Sequence, residues 1–483
     1  MVVVAVAALL VGTLTLRADA RPGALPTPAR PFVTAVFPDL GNDASSESAL
    51  VFRRIRAAGA SFARFSAHWS DVAPKKPPTR ADARDPGWSG YRWESVDRQV
   101  RWATQSRLKV MLTIVETPTW AADYPPKVPI GPANIDLDAL ADFVHAAAVR
   151  YGGDYRGLPR VRYWVAWNEP NLGRYLNPQF VDDNGVGGEV YRALVNTFAD
   201  AVHAVHGDNM LIAGVTAPFT AWTKNSKARW GLGPLPFMRG MLCLSRALKP
   251  TCSQRAKFDI WSHHPYTSGG PTHHAYSADD VSLGDLPEMR AVLNAAIRYK
   301  KIVSRHRPEF WVTEFSWDTN PPDREGIPRQ LHGRWAAEAL YRMWQSGVTV
   351  ATWYGMRDGP YPAAPFQGGL YFRGSTVGRD RAKPAYRAFR FPFVAYTRGA
   401  TQVFVWGRTP TSRAGGVRVE QLVGDSWRRA GIVRTNRYGV FTGMVRRAGG
   451  GVFRARFGGE TTNSFSLVRP RDRFYYPFGD FHP

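Results

Sequence analysis

The sequence predicts an α/β protein built as a (β/α)8 TIM barrel, followed by a small all-β sandwich. Between residues 32 and 389, eight apolar, β-branched runs alternate with segments of helical spacing, the pattern of successive βα units around a parallel sheet. From residue 395 onward the helical spacing disappears, and short alternating runs divided by Gly, Asn and Asp take its place. Two of the barrel runs end on a lone carboxylate, Glu169 and Glu314.

The eight expected strands are residues 31–37, 61–67, 109–115, 161–167, 210–216, 258–264, 309–315 and 348–355. Helices are expected at 47–58, 93–106, 137–151, 189–206, 237–248, 286–306, 330–345 and 384–389, where apolar residues recur at three- and four-residue spacing. The last would start on Pro384, whose fixed φ suits the first helical position. Eight units of each kind close into a barrel more naturally than they form an open sheet. The expected organisation is therefore residues 1–30 as a signal peptide or anchor with a Pro-rich linker, 31–392 as the barrel, and 395–483 as an Ig-like β-sandwich.

The chain opens with an apolar run of about 16 residues, then Ala18-Asp19-Ala20, a cleavage-site pattern that implies export. No basic residue precedes the run, so an uncleaved anchor is the alternative, and membrane contact is expected only in that case. Pro22, Pro26, Pro28 and Pro31 mark an extended linker. The two cysteines, Cys243 and Cys252, flank a loop containing Pro250, and in an exported protein a local disulfide is expected. The net charge of +24 is mostly scattered arginine without a dense basic run, so nucleic acid is not an expected partner. Seventeen Trp exceed what a core needs and suit the apolar faces of sugar rings.

In a barrel of this kind the site forms at the C-terminal ends of the strands. Chemically conspicuous residues fall there: Arg64, His68, Glu116, Asn168, Glu169, His264, Tyr266, Glu314 and Trp353. Residues 161–171, VRYWVAWNEPN, break from an apolar strand into Asn168-Glu169-Pro170, and proline cannot continue a ladder. Residues 310–319, FWVTEFSWDT, end likewise at Glu314. Strands 4 and 7 lie across the mouth from each other, so both carboxyl groups could reach one anomeric carbon, as cleavage of a glycosidic bond requires. Trp120 and His68 are candidate sugar platforms or cleft walls. The adjacent pairs His263-His264 and His273-His274 lack the spacing of a metal site, and the glycines do not form a phosphate-binding fingerprint, so neither a metal nor a cofactor is expected.

Asn168-Glu169-Pro170, the glutamate after strand 7 and His264-Pro265-Tyr266 after strand 6 together resemble the retaining glycoside hydrolases of clan A, with WNEPN and TEF most similar to families 39 and 5. The resemblance covers about residues 32–389. It implies that Glu169 is the acid/base and Glu314 the nucleophile. It further implies that Asn168 binds the sugar 2-hydroxyl, Tyr266 donates to Glu314, Arg64 stabilises the Glu314 charge, and Trp353 forms an aromatic floor. An ionised Glu314 would raise the Glu169 pKa and so separate the two roles. A poly- or oligosaccharide is the expected substrate. Two other readings remain open: a carbohydrate-binding or cell-surface barrel without catalysis, and a transglycosylase using the same glutamates.

Overall fold

The computed structural model describes residues 30–38, 40, 47–124, 131–221, 230–364 and 366–471. The N-terminal leader expected from the sequence lies outside them. Eight parallel strands close a barrel: β1 (Val33–Phe37), β2 (Phe62–His68), β3 (Lys109–Val115), β4 (Tyr163–Ala166), β5 (Met210–Thr216), β6 (Ile260–His263), β7 (Glu309–Val312) and β8 (Val350–Tyr354). Their order around the ring is 1-8-7-6-5-4-3-2, and β1 pairs with β8 from Val33↔Val350 to Phe37↔Tyr354.

Helices surround the strands: α1 (Ser48–Ala57), α2 (Glu94–Gln105), α3 (Leu137–Arg150), α4 (Gly187–Val205), α5 (Pro234–Met241), α6 (Leu286–Arg298), α7 (Arg329–Gln345) and α8 (Pro384–Arg390). Local chemistry sets several boundaries. The Asp136 side chain caps α3 by accepting from the Ala139 amide. Prolines open α5 and α8 at positions where a helix needs no N–H donor.

Two helices differ from the sequence expectation. The one expected at 237–248 starts earlier, at Pro234, and stops before Cys243, whose φ of +52° is incompatible with a continuing right-handed helix. The one expected at 286–306 stops at Arg298. Lys300 then turns the chain with φ +53°, and Ile302–Val303 pairs with Ala256–Lys257 instead. Cys243 and Cys252 are bonded.

The barrel interior has two layers of different chemistry. Ala35, Phe62, Met111, Val165, Ile212, Ile260, Trp311 and Val350 fill an apolar layer. One step further toward the strand C-termini, Arg64, Thr113, Ser262 and Thr313 replace them, and their side chains bond one another: Arg64 Nε donates to Thr113 Oγ1 at 3.1 Å, and the Ser262 and Thr313 hydroxyls lie 2.9 Å apart. Period-2 alternation puts these residues above the apolar ones on their own strands. They form the floor of the mouth.

Beyond the barrel lie two antiparallel sheets. One comprises β9 (Phe393–Thr397), β10 (Gln402–Arg408) and β13 (Val440–Arg446). The other comprises β11 (Gly416–Val423), β12 (Ser426–Arg434) and β14 (Val452–Phe457), with the short segments Glu460–Thr461 and Phe465–Ser466. Val403, Val405 and Phe441 of the first share a core with Val417, Val419, Phe453 and Ala455 of the second. That core runs on into the barrel, because Trp406 packs against Tyr341 and Trp344 of α7, with ring centroids 5.4 and 5.7 Å apart. No helix among the described residues is long and apolar enough to cross a membrane.

Candidate active site

Arg64 is the centre of the mouth. It is fully buried on β2, and its guanidinium reaches residues from four strand ends. One amino group donates to Glu314 Oε1 at 2.7 Å and to the Thr313 carbonyl at 3.1 Å; the other donates to Asn168 Oδ1 at 3.0 Å. The Phe37 ring lies 5.1 Å from the guanidinium. A buried arginine whose donors are spent in this way is a fixed positive charge beneath Glu314.

His264 follows β6, the neighbour of β7 and two strands from β4 in the ring, and stands between the two glutamates. Its Nδ1 is 3.0 Å from Glu169 Oε1 and 3.7 Å from Glu314 Oε2, while its Nε2 is 3.3 Å from the Arg64 amino group. Burial, helped by Arg64, pushes its pKa down to about 3, so the imidazole is neutral. A guanidinium can only donate, so Nε2 is the acceptor and Nδ1 carries the proton, which it donates to Glu169. His263, by contrast, is enclosed in the core between Thr216 and the Val281 carbonyl.

Glu169 and Asn168 are consecutive, yet both face the mouth. A regular strand would send them to opposite faces. The backbone breaks that alternation: φ is +76° at Trp167 and +41° at Glu169, and Val215 beside them on β5 has φ +52°. Non-glycine residues in this region are strained, and such strain concentrates at functional sites. The Trp167 indole, donating to the Tyr175 carbonyl at 2.7 Å, and the Glu169 amide, donating to the Val215 carbonyl at 2.9 Å, hold the distortion. With Asn168 Oδ1 taken by Arg64, its NH2 is left as a donor toward the mouth.

The two carboxyl groups sit in different surroundings. Glu314 accepts from Arg64 and from the Tyr266 hydroxyl at 3.3 Å. Glu169 retains 17 % of its side-chain surface, and burial pushes its carboxyl up to about 7 against the opposing fields of Arg64 and Arg174. The sequence expectation of a raised Glu169 pKa therefore has a different cause: burial, where the charge of Glu314 had been expected. Glu169, His264 and Glu314 each offer a ligand atom within 4.8 Å of the others, which is also a geometry for a metal ion. Arg64 already supplies the compensating positive charge there, and the proton on Nδ1 occupies the lone pair that a metal would need.

Arg64, Asn168, Glu169, His264, Tyr266 and Glu314 thus converge. Three other residues proposed from the sequence lie elsewhere. Trp353 does not line the mouth: it is 2 % exposed, donates to the Gly368 carbonyl at 2.8 Å, and packs against His332 and Phe389 of the outer helices. The next residue, Tyr354, takes the inward phase, with its ring 5.2 Å from Phe37. Trp120 leans edge-on against Trp69 and donates to the Ala73 carbonyl, in the wall of a separate cavity. His68 pairs with Glu116 at 2.9 Å, which raises the pKa of His68 and lowers that of Glu116.

Glu116 belongs to a cleft of about 480 Å³ with Thr117, Tyr124, Arg174 and Tyr175. The charge of Arg174 acts on both Glu116 and Glu169, so this cleft adjoins Glu169. Phe37, Thr113, Arg174 and Tyr175 were not singled out from the sequence. Phe37 was legible as the last residue of its strand; Arg174 and Tyr175, in the loop after β4, carry no sequence signal.

No protein-family model matches the chain, and neither does any curated protein sequence. Solved structures do. A monomeric β-xylosidase from Caulobacter crescentus CB15 aligns with a TM-score of 0.49 at 17% identity, over 86% of this chain and 97% of that one. A family 39 glycoside hydrolase from the gut symbiont Bacteroides cellulosilyticus WH2 aligns with a TM-score of 0.52 at 16% identity, over 87% of this chain and 82% of that one. At such identity the likeness is one of architecture, and the chain shares the fold of that family 39 glycoside hydrolase structure.

Proposed function

We propose that this chain is a retaining glycoside hydrolase that cleaves an O-glycosidic bond of a poly- or oligosaccharide in two displacements. Glu314 attacks the anomeric carbon, forming a glycosyl ester, while Glu169 gives its proton to the departing oxygen. Glu169 then takes a proton from water, which attacks the same carbon and frees Glu314. The observation that carries this reading is the approach of two carboxyl groups in contrasting environments, with one oxygen of each within 4.8 Å. Such an approach favours the roughly 5 Å separation of retaining enzymes over the roughly 6.5–9.5 Å of inverting ones.

The neighbours suit the roles. Arg64 and Tyr266 favour the ionised nucleophile, and burial keeps Glu169 protonated up to about pH 7. The Asn168 amide donor strengthens its hold on a sugar hydroxyl as positive charge develops on the ring. Export is part of the proposal, supported by the apolar leader with Ala18-Asp19-Ala20 and by the Cys243–Cys252 bridge, since disulfides persist in oxidising compartments.

The test is a panel of aryl glycosides followed by NMR of the first-formed anomer. Retention of configuration is expected, with no turnover by Glu314→Ala. Azide added to Glu169→Ala should restore turnover and yield the glycosyl azide of retained configuration. An inverted first product would overturn the mechanism, and full activity in Glu314→Ala would overturn the assignment of the nucleophile.

A further inference from the structure

The barrel and the C-terminal sheets meet beside α7 and α8, and two cavities open at this junction, of about 790 and 360 Å³. Gln330, Arg387, Thr461 and Asn463 line both, so the two form one groove. Four arginines border it, Arg334, Arg387, Arg390 and Arg454, with Glu460 as the one carboxylate among the described lining residues.

Three of these guanidinium groups are held in place. Arg390 makes a bidentate pair with Glu460, both bonds 2.6 Å. Arg454 bonds Glu420 at 2.8 Å and stacks on Trp427 at 4.0 Å. Arg334 pairs with Glu338 at 3.4 Å, donates to the Ser466 carbonyl at 2.7 Å and lies 4.1 Å over Phe465, while its buried Nε has no partner. Arg387 is exposed in the middle, and its side chain makes no hydrogen bond or ion pair among the described residues. Arg390, Arg454 and Arg334 each have a carboxylate partner, so Arg387 is the one groove guanidinium without one among the described residues, and an anion beside it would supply the missing charge. A guanidinium fork is matched to a carboxylate or sulfate.

We propose that this groove is a second binding site, separate from the catalytic mouth, for an anionic oligosaccharide carrying carboxylate or sulfate groups. Arg387 binds the anionic group, and the amides and hydroxyls of Gln330, Thr461 and Asn463 face the sugar hydroxyls. Each of the two cavities is of the size that holds small ligands, roughly 300–1,000 Å³. The net charge of +24 draws a polyanion toward the protein. The saccharide nature of the ligand rests on the glycosidase reading; the anionic site does not.

The test is calorimetric titration of the full chain, at about 0.15 M salt to screen diffuse attraction. The probes are heparin oligosaccharides, oligogalacturonate, neutral xylan oligosaccharides and an RNA homopolymer. The site predicts binding of a sulfated or carboxylated saccharide, and which of the two is bound tells which anion it takes; it predicts no groove binding by xylan. Arg387→Glu should weaken the affinity about tenfold or more, while Arg428→Glu, an equal charge change on exposed β12, leaves it nearly unchanged. Equal losses in the two variants, equally tight RNA binding, or no binding of either anionic saccharide would overturn the proposal. Turnover plays no part in the readout. Glu314→Ala should bind as the parent does, so failure of the catalytic reading leaves this result separate.

Discussion

His264 donates its Nδ1 proton to Glu169 Oε1 at 3.0 Å while its Nε2 faces the Arg64 guanidinium at 3.3 Å, so one neutral ring ties Glu169, the proposed acid/base, to the cation beside Glu314, the proposed nucleophile. A hydrogen bond donated to a carboxyl group favours its ionised form. His264→Phe should therefore raise the Glu169 pKa further and move the alkaline limb of kcat/KM upward. It should also lower kcat about 10²-fold, because the second step needs an ionised, oriented Glu169. A pH–rate profile separates this from a packing defect, which would lower the rate without moving the limb.

The Glu169 carboxyl, pushed up to about 7 by burial, should set the alkaline limb of the parent enzyme. It also makes stability pH-dependent. The folded pKa is above the unfolded value, so the folded state binds the extra proton, and the stabilisation is complete below about pH 4.5 and is lost as pH rises through about 7. Glu169→Gln cannot ionise. It should match the parent in thermal stability at pH 4 and exceed it at pH 8 by on the order of 3 kcal/mol. Parallel Tm curves for the two proteins across that range would contradict a raised Glu169 pKa.

Arg64→Met keeps the bulk of the side chain and removes the charge. Glu314, Asn168 and Thr113 would each lose a partner in a nearly dry site, and breaking a buried pair this way costs roughly 3–5 kcal/mol. In a double-mutant cycle with Glu314→Gln, part of that cost should return, because the second change removes the stranded carboxylate. Denaturant titration of the four proteins measures the coupling, which should exceed about 1 kcal/mol.

The barrel was readable because each of its strands carries a mostly apolar run and each helix an apolar stripe. Lys109–Val115 and Met210–Thr216 have the same boundaries in sequence and structure. Helix ends at Met241 and Arg298 were not readable, since positive φ at Cys243 and Lys300 gives no local signal unless glycine is present. That Glu169 and Glu314 meet at the mouth could be read from chemistry, as lone carboxylates at apolar strand ends. The aromatic floor could not, because β8 ends on both Trp353 and Tyr354, and only the barrel register decides which faces inward. His264 could be placed at the mouth, but its position as a bridge depends on β6 lying beside β7 and two strands from β4, which is a property of closure.

Removing the C-terminal sheets should unfold the barrel as well as trim it. Trp406 of β10 is fully buried against Tyr341 and Trp344 of α7 and against Phe32 at the entry to β1, with the Phe32 ring 5.9 Å away. α7 is also the helix that joins β7, beyond whose end Glu314 lies, to β8, and its His332 ring lies 5.5 Å from Trp353 of β8. Trp406→Ala would open a cavity among these aromatics and cost about 3–5 kcal/mol. A chain ending at residue 391 would expose the whole aromatic face of α7 to water. Thermal unfolding should show one transition in the parent, shifted down in Trp406→Ala, and the shortened chain should be insoluble or molten. A shortened chain that melts cooperatively near the parent Tm would mean that the sheets are an independent appendage, and that Tyr341 and Trp344 find other cover.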